Sequence, residues 1–116
     1  MTNTEAVRKF CLTLPHTTES IQWGNDLVFK VGGKMYAVMT LEAPRQVQIC
    51  FKCDVEVFQE LIEREGVMPA PYLARASWVA LDSFESLKGT ELKKYLTAAH
   101  AIVMAGLPRK TRAQLL

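Results

Sequence analysis

Residues 27–53, LVFKVGGKMYAVMTLEAPRQVQICFKC, decide the fold, because their side chains alternate between two kinds. Apolar residues recur at a period of two, as the half-buried strands of an antiparallel meander require. They are Leu27, Phe29 and Val31, then Met35, Ala37, Met39 and Leu41, then Val47, Ile49 and Phe51. The opposite set is polar, basic and partly aromatic: Lys30, Lys34, Tyr36, Thr40, Gln46, Gln48 and Lys52. The pattern predicts a sheet that buries the first set under helices and leaves the second set in water.

The glycine pair Gly32-Gly33 sets the register of the first hairpin. A two-residue turn would place Val31 opposite Lys34, and a one-residue slip of this kind moves core residues to the solvent face. A three-residue loop with a bulge instead pairs Val31 with Met35 and keeps the apolar rows together. Positive φ carries no steric penalty for glycine. We therefore predict a bulged turn with Gly33 in the left-handed conformation and Lys34 at the tip or first exposed position.

Length and composition predict one domain over residues 1–116, since a chain of 116 residues can bury a single core without disulfides or metals. No apolar run is long enough to cross a bilayer, and the N-terminus has no secretory h-region. The three cysteines, an odd number, indicate reduced thiols. These features predict a cytoplasmic protein of bacterial type without membrane association. Nothing in the sequence specifies its oligomeric state, and a monomer is the default.

Charge is separated by segment although the net charge is only +2, far from the strongly basic class of nucleic-acid-binding proteins. The meander of residues 27–53 is basic, whereas residues 54–65 contain five acidic residues and one arginine. The tail from Pro108 carries Arg109, Lys110 and Arg112 with no acid. The sequence thus predicts a basic sheet beside an acidic helix.

The flanking segments predict an α+β two-layer sandwich, with an antiparallel sheet of four to five strands and helices packed on one face. A short edge strand is expected at Glu19 to Trp23 and another strand at Ser77 to Asp82, with residues 67–76 as an ordered loop or an irregular extended segment. Caps and apolar spacing predict helices from Thr4 to Pro15, from Asp54 to Gly66 and from Thr90 to Gly106, followed by a short basic helix over residues 109–116.

No arrangement of side chains predicts catalysis. Cys50 and Cys53 form a CxxC at a strand end, where odd spacing sends the thiols to opposite faces, which disfavours both a disulfide and a shared metal. His16 and His100 have no neighbouring nucleophile or carboxylate pair. We expect structural thiols and surface or satisfied core histidines. The sequence predicts no cofactor and no metal site, and it leaves catalysis unsupported rather than excluded, so an enzyme is a third and weaker hypothesis.

Trp78 supports two interpretations, because alternation places it opposite Val79 and Leu81, which are core residues. The ring is either buried under the neighbouring loop of residues 67–76, as tryptophan usually is, or exposed on the polar face of the sheet. In the second case it would join Tyr36 and the lysines as a surface on which phosphates meet ammonium groups and bases stack on rings.

The order of short motifs resembles the YjbR/MmcQ family of small bacterial proteins over nearly the whole chain. The residues that carry the likeness are Leu14-Pro15, Trp23-Gly24, the stretch FKVGGKMYA at 29–37, Phe51-Lys52, WVAL at 78–81 and LPRK at 107–110. The resemblance implies a frataxin-like arrangement of helices against an antiparallel sheet and a DNA-binding role through a double-wing motif. Lys30, Lys34, Tyr36, Lys52 and Trp78 fall on positions of the family pattern. Two positions depart from the pattern: Ser77 stands where the family often has a histidine, and Ala99-His100 stands where it often has a Ser-Tyr pair. If those side chains take part in binding elsewhere in the family, this member would differ in its ligand or its affinity.

Two functions follow from these observations. The first is a non-enzymatic DNA-binding protein that uses the outer sheet face and its hairpin tips. Its nucleic-acid-binding residues are predicted to be Lys30, Lys34, Tyr36, Arg45, Lys52 and Trp78. The alternative is a protein-interaction or small-ligand-binding module with an aromatic patch around Trp78, because aromatic side chains dominate binding hot spots. The patch residues are Trp23, Tyr72 and Arg75.

Overall fold

The computed structural model describes residues 3–42 and 46–115, which fold into an antiparallel sheet with helices packed against it. In chain order the elements are α1 (Thr4–Thr13), β1 (Thr17–Gln22), β2 (Asp26–Val31), β3 (Lys34–Thr40), β4 (Ile49–Lys52), α2 (Val55–Leu61), β5 (Val67–Pro69), β6 (Trp78–Leu81), α3 (Gly89–Ala105) and α4 (Arg109–Leu115). Two short 3-10 helices span Ala74–Ala76 and Phe84–Ser86. The α+β class is confirmed.

The sheet has six strands in the order β1-β2-β3-β4-β6-β5, so the predicted count of four to five is wrong. The missed strand is β5, which pairs with β6 through Val67↔Leu81 and Pro69↔Val79. Pro69 at the end of this strand and Pro71 beyond it indicate a loop, because proline cannot donate to a ladder. The strand forms at the edge of the sheet, where proline is tolerated.

The helices cover one face of the sheet, which we call the helix side. A single apolar cluster joins Val7 and Cys11 of α1, Leu61 of α2 and Leu92 of α3 to the inward residues of every strand from β2 to β6. We call the opposite face the open face, and a smaller apolar cluster around Trp78 and Ala80 lies on it. None of the helices within the described residues has the length and apolar character that a membrane span requires.

The first hairpin differs from the prediction. Val31 pairs directly with Lys34, so Gly32 and Gly33 form a two-residue turn, with φ of +59° and +80°. Positive φ at both central residues is typical of the tight turn that matches strand twist. The bulge lies further along, because Lys30 pairs with Met35 while Phe29 pairs with Ala37, which leaves Tyr36 as an extra residue in β3. The predicted bulged turn at Gly33 is therefore wrong, and the register is corrected inside the strand.

The bulge turns Tyr36 toward the helix side, where it joins the sheet to the helices. Its hydroxyl lies 3.0 Å from the Thr17 hydroxyl and donates to the Cys11 carbonyl at 3.3 Å. The Tyr36 ring makes an edge-to-face contact with the His100 ring, with 5.3 Å between the ring centroids. His100 is itself buried, with its Nε2 2.7 Å from the Pro15 carbonyl oxygen, which confirms a satisfied core histidine. The bulged residue Tyr36 thus connects β3 to α1, β1 and α3.

We predict that Gly32→Ala destabilises the fold more than Gly33→Ala does. A Cβ at Gly32 would lie 2.5 Å from Cδ1 of the buried Leu107, whereas a Cβ at Gly33 would meet nothing within 4 Å. Left-handed backbone alone costs an alanine about 1–2 kcal/mol. We expect a loss of about 1 kcal/mol for Gly33→Ala and about 2–3 kcal/mol for Gly32→Ala, because crowding adds to strain only there. Urea unfolding of both variants measures this; equal losses would contradict the contact with Leu107.

Candidate functional site

The two aromatic residues predicted to stack on bases are buried. Tyr36 is 0% exposed and lies on the helix side, because the β3 bulge rotates it away from the open face. Trp78 lies on the open face but is only 4% exposed. Its backbone N–H donates to the Leu73 carbonyl at 3.3 Å and its backbone carbonyl accepts from Ala70 N–H at 3.0 Å. Ala70 and Leu73 belong to the same apolar cluster as Trp78, so the segment after β5 packs against it. The exposed basic and aromatic surface predicted around Tyr36 and Trp78 is therefore corrected.

The predicted basic residues lie at one end of the sheet but on two sides of it. Lys30 pairs with Met35, and Lys52 pairs with Trp78, which places both lysines on the open face. Lys34 is exposed and pairs with Val31, a helix-side residue, so its predicted position on the open face is wrong. The two-residue turn is the physical reason, since it shifts Lys34 by one register position. Arg45, the remaining predicted site residue of this kind, lies outside the described residues.

Further basic residues gather at this end of the molecule. The side chains of Leu107 and Thr111 approach Gly32, so the start of α4 lies against the β2–β3 turn. On the open face the Lys52 ammonium group donates to the Ala76 carbonyl, next to the exposed Arg75. We call this region the basic end. Its members are Lys30, Lys34, Lys52 and Arg75, with the exposed Arg109, Lys110 and Arg112 of α4.

The cysteines face different sides, as their spacing predicts. Cys53 belongs to the helix-side core, whereas Cys50 packs on the open face. All three cysteines are free thiols. Burial, followed by the charge of Asp54, raises the pKa of Cys53 to about 12. Within the part of the chain that the structure describes, no cluster of three or more His, Cys, Asp or Glu side chains is placed to hold a metal ion.

A groove with a volume of about 510 Å³ runs along the open face, beside the small Trp78 cluster. We call it the open-face groove. Its lining is mostly apolar and comes from β3, β4 and the segments next to them: Met35, Val38, Val47, Cys50 and Leu73. A volume of this size is within the range of pockets that hold small molecules, about 300–1,000 Å³. The groove is therefore large enough for an organic ligand of several rings.

Two aromatic side chains at the rim of the groove are strongly exposed. Trp23 is 67% exposed and Tyr72 is fully exposed, although both line the groove. Each has a left-handed backbone, with φ of +50° at Trp23 and +65° at Tyr72. Bulky residues rarely adopt positive φ, and such strained positions concentrate at ligand-binding sites. These residues belong to the predicted ligand patch, whereas Arg75, its third member, does not line the groove.

One end of the groove is polar. Asp26 pairs with Thr40 across β2 and β3, and both line the groove. Burial raises the pKa of Asp26 above its ordinary value. Burial, followed by the charge of Asp26, raises the pKa of Cys50 to about 11. The Cys50 thiol is consequently neutral near pH 7 and is not activated as a nucleophile.

Sequence patterns did not identify Asp26, Val38 or Cys50 as a common site. The period-two pattern assigns Met35 to the core row, because it does not contain the bulge that places Met35 opposite Lys30. One local signal in the sequence points to this site: Trp23 lies next to the Gly24-Asn25-Asp26 turn, and residues in such turns are typically exposed.

Comparison with known proteins agrees with the motif resemblance. A solved structure from Deinococcus radiodurans, described by the family-model domain DUF419, matches with a TM-score of 0.85 and 26% identity over 99% of this chain and 88% of that chain. A structure from Pseudomonas syringae matches with a TM-score of 0.71 over 86% of this chain and 97% of that chain; at 16% identity it shows similarity of fold alone. No curated protein matches. A family model described as YjbR matches residues 12–102, and the chain therefore belongs to the YjbR family.

Proposed function

We propose that this protein binds DNA without catalysing a reaction, and that the basic end is its contact surface. The observation that supports the proposal is that basic side chains of β2, β3, β4, the first 3-10 helix and α4 lie at one end of the sheet. Lys34, Arg75 and the basic residues of α4 are exposed, whereas Lys30 and Lys52 are half-buried. Acidic side chains gather on the outer face of α2, where Glu56, Glu60 and Glu63 line a shallow surface depression. Lys52 lines a neighbouring depression together with Asp54 and Glu60, so the basic end borders the acidic helix.

The proposed contacts are to phosphates. Lysine and arginine side chains neutralise phosphate groups irrespective of sequence and release condensed counterions. Since Tyr36 and Trp78 are buried, stacking of bases on these rings is not part of the proposal. A surface of this composition favours binding with little sequence preference.

The resemblance to the YjbR/MmcQ family adds two elements to the proposal. The β2–β3 hairpin, whose turn lies against the start of α4 at the basic end, takes the place of one wing of a double-wing motif. The sheet with its helices on one side corresponds to the frataxin-like arrangement. A cytoplasmic location, expected from the sequence, would bring the protein into contact with DNA.

We predict that DNA binding weakens steeply with salt. About four phosphate contacts give a slope of log K against log[salt] of roughly −3 to −4, which lowers affinity about 100-fold between 50 and 200 mM salt. Fluorescence anisotropy with labelled duplex and single-stranded oligonucleotides measures the slope. Charge reversal by Lys34→Glu together with Lys52→Glu should reduce affinity at low salt by about tenfold or more.

A matched control separates a specific surface from a general effect of net charge. Lys9 on α1 and Lys88 before α3 are exposed and lie outside the basic end. Lys9→Glu with Lys88→Glu makes the same change in net charge and should leave most of the affinity. Equal losses in the two double variants, or binding that does not respond to salt, would contradict the proposal.

A further inference from the structure

The open-face groove is separate from the basic end in its chemistry. None of the basic residues that define that end is among the described residues lining the groove. Its floor is formed by Met35, Val38 and Val47, which offer no hydrogen bonds to a phosphate. DNA binding therefore leaves the groove unexplained.

The two aromatic residues at the rim of the groove have strained backbone conformations. An exposed tryptophan and an exposed tyrosine both keep left-handed backbones that cost about 1–3 kcal/mol each in ordinary proteins. The surrounding turns hold them there: Trp23 follows β1 directly, and Tyr72 lies between Pro71 and the Leu73 whose N–H donates to the Ala70 carbonyl at 3.2 Å. The turns fix the backbone beneath each ring, whereas the rings themselves are exposed and are ordered by the ligand that they cover, at a cost of about 0.5–1.5 kcal/mol each.

Charge decides the class of ligand. Among the described residues that line the groove, Asp26 is the charged one, and it lies on the same open face as the apolar floor. A carboxylate next to apolar surface favours a cation, and the faces of tryptophan and tyrosine rings attract a cation as well. An anionic ligand would meet repulsion from Asp26 and find no compensating base among these residues.

We propose that the open-face groove binds a small, largely apolar ligand that carries a positive charge, such as an aromatic amine. The apolar body lies on Met35 and Val38, the rings of Trp23 and Tyr72 cover it, and the ammonium group pairs with Asp26. This site is independent of the proposed DNA contact, and either of them can fail without the other.

Three probes with the same ring system test the proposal: 2-naphthylmethylamine, 2-naphthylmethanol and 2-naphthylacetate, titrated calorimetrically at pH 7. We expect the amine to bind about tenfold more tightly than the alcohol, and the carboxylate to bind most weakly. Asp26→Asn should remove the advantage of the amine and leave binding of the alcohol unchanged. Trp23→Ala and Tyr72→Ala should each weaken the amine and the alcohol about fivefold or more.

Val55→Ala is the matched control, because Val55 is 60% exposed on α2 and does not line the groove. It should bind all three probes as the unmodified protein does. Thermal unfolding of each variant verifies that it is folded. Failure of all three probes to bind at millimolar concentration would overturn the proposal, as would an amine advantage that persists in Asp26→Asn or losses of equal size in Val55→Ala.

Discussion

Replacing Tyr36 by alanine is expected to lower the free energy of unfolding by about 3–5 kcal/mol, the usual loss for a buried aromatic side chain. Tyr36 is 0% exposed and contacts three parts of the chain. Its hydroxyl bridges the Thr17 side chain of β1 and the Cys11 carbonyl of α1, and its ring packs on His100 of α3. Truncation would leave a cavity at the point where these elements meet.

Two further variants show which part of Tyr36 matters. Tyr36→Phe keeps the ring and should lose only about 1 kcal/mol, the net value of its hydrogen bonds. Tyr72→Ala changes the same residue type at a fully exposed position and should stay within about 0.5 kcal/mol of the unmodified protein. Chemical denaturation gives all three values. A loss below about 1 kcal/mol for Tyr36→Ala would place the ring on the surface.

Stability is expected to fall sharply between pH 9 and 10, because Cys11 and Cys53 are buried as neutral thiols. Burial is the main cause that raises the pKa of each of these thiols, from an ordinary 9.0 to about 12 in the folded protein. The unfolded chain therefore loses these protons first. Full stability is present below about pH 9, and it declines as the pH rises toward the folded pKa values.

Each such thiol lowers the unfolding free energy by about 1 kcal/mol between pH 9 and 10, and the slope approaches about 1.4 kcal/mol per pH unit only above pH 10, so the pair contributes about 2 kcal/mol between pH 9 and 10. Urea unfolding between pH 7.5 and 10 measures the slope. The double variant Cys11→Ala, Cys53→Ala should be less stable at neutral pH, yet its stability should fall with a shallower slope. The interpretation is rejected if the two proteins show the same slope.

Local signals in the sequence were sufficient for most of the helices and for the central strands. Asp54 caps α2 as predicted, with its carboxylate accepting from Val57 N–H at 2.8 Å. Leu92, Leu96 and Ala99 are buried on α3, as their spacing indicates. Caps and apolar periods act between neighbours in the chain, so they can be recognised without knowledge of the tertiary structure.

The β3 bulge could not be predicted by the same means. The period-two pattern assumes strict alternation of faces from Met35 onward. In the structure the tight Gly32-Gly33 turn shifts the register by one residue, and the bulge at Tyr36 restores it within the strand. Each of these two changes is common by itself, and only their combination keeps Val31 and Ala37 both buried. Period-two patterns cannot distinguish one longer loop from this pair of changes.

The different exposure of the two tryptophans has a tertiary cause. Trp78 packs against Ala70 and Leu73 of the segment after β5, while Trp23 lies in a turn that the described part of the chain leaves 67% exposed. The groove lining comes from residues that are up to fifty positions apart, such as Trp23 and Leu73. Such a site depends on the β4-β6-β5 order of the sheet, which a single sequence does not specify.

The edges of the sheet limit self-association. Unpaired strand edges are templates for addition of further strands and hence for aggregation. At one edge β5 is only three residues long and contains Pro69, which has no N–H to offer to another chain. At the other edge β1 has the polar sequence TTESIQ, whose Glu19 is paired with Arg8 of α1. The protein is thereby expected to resist fibril-like growth at both ends of its sheet, even though it carries an exposed apolar groove between them.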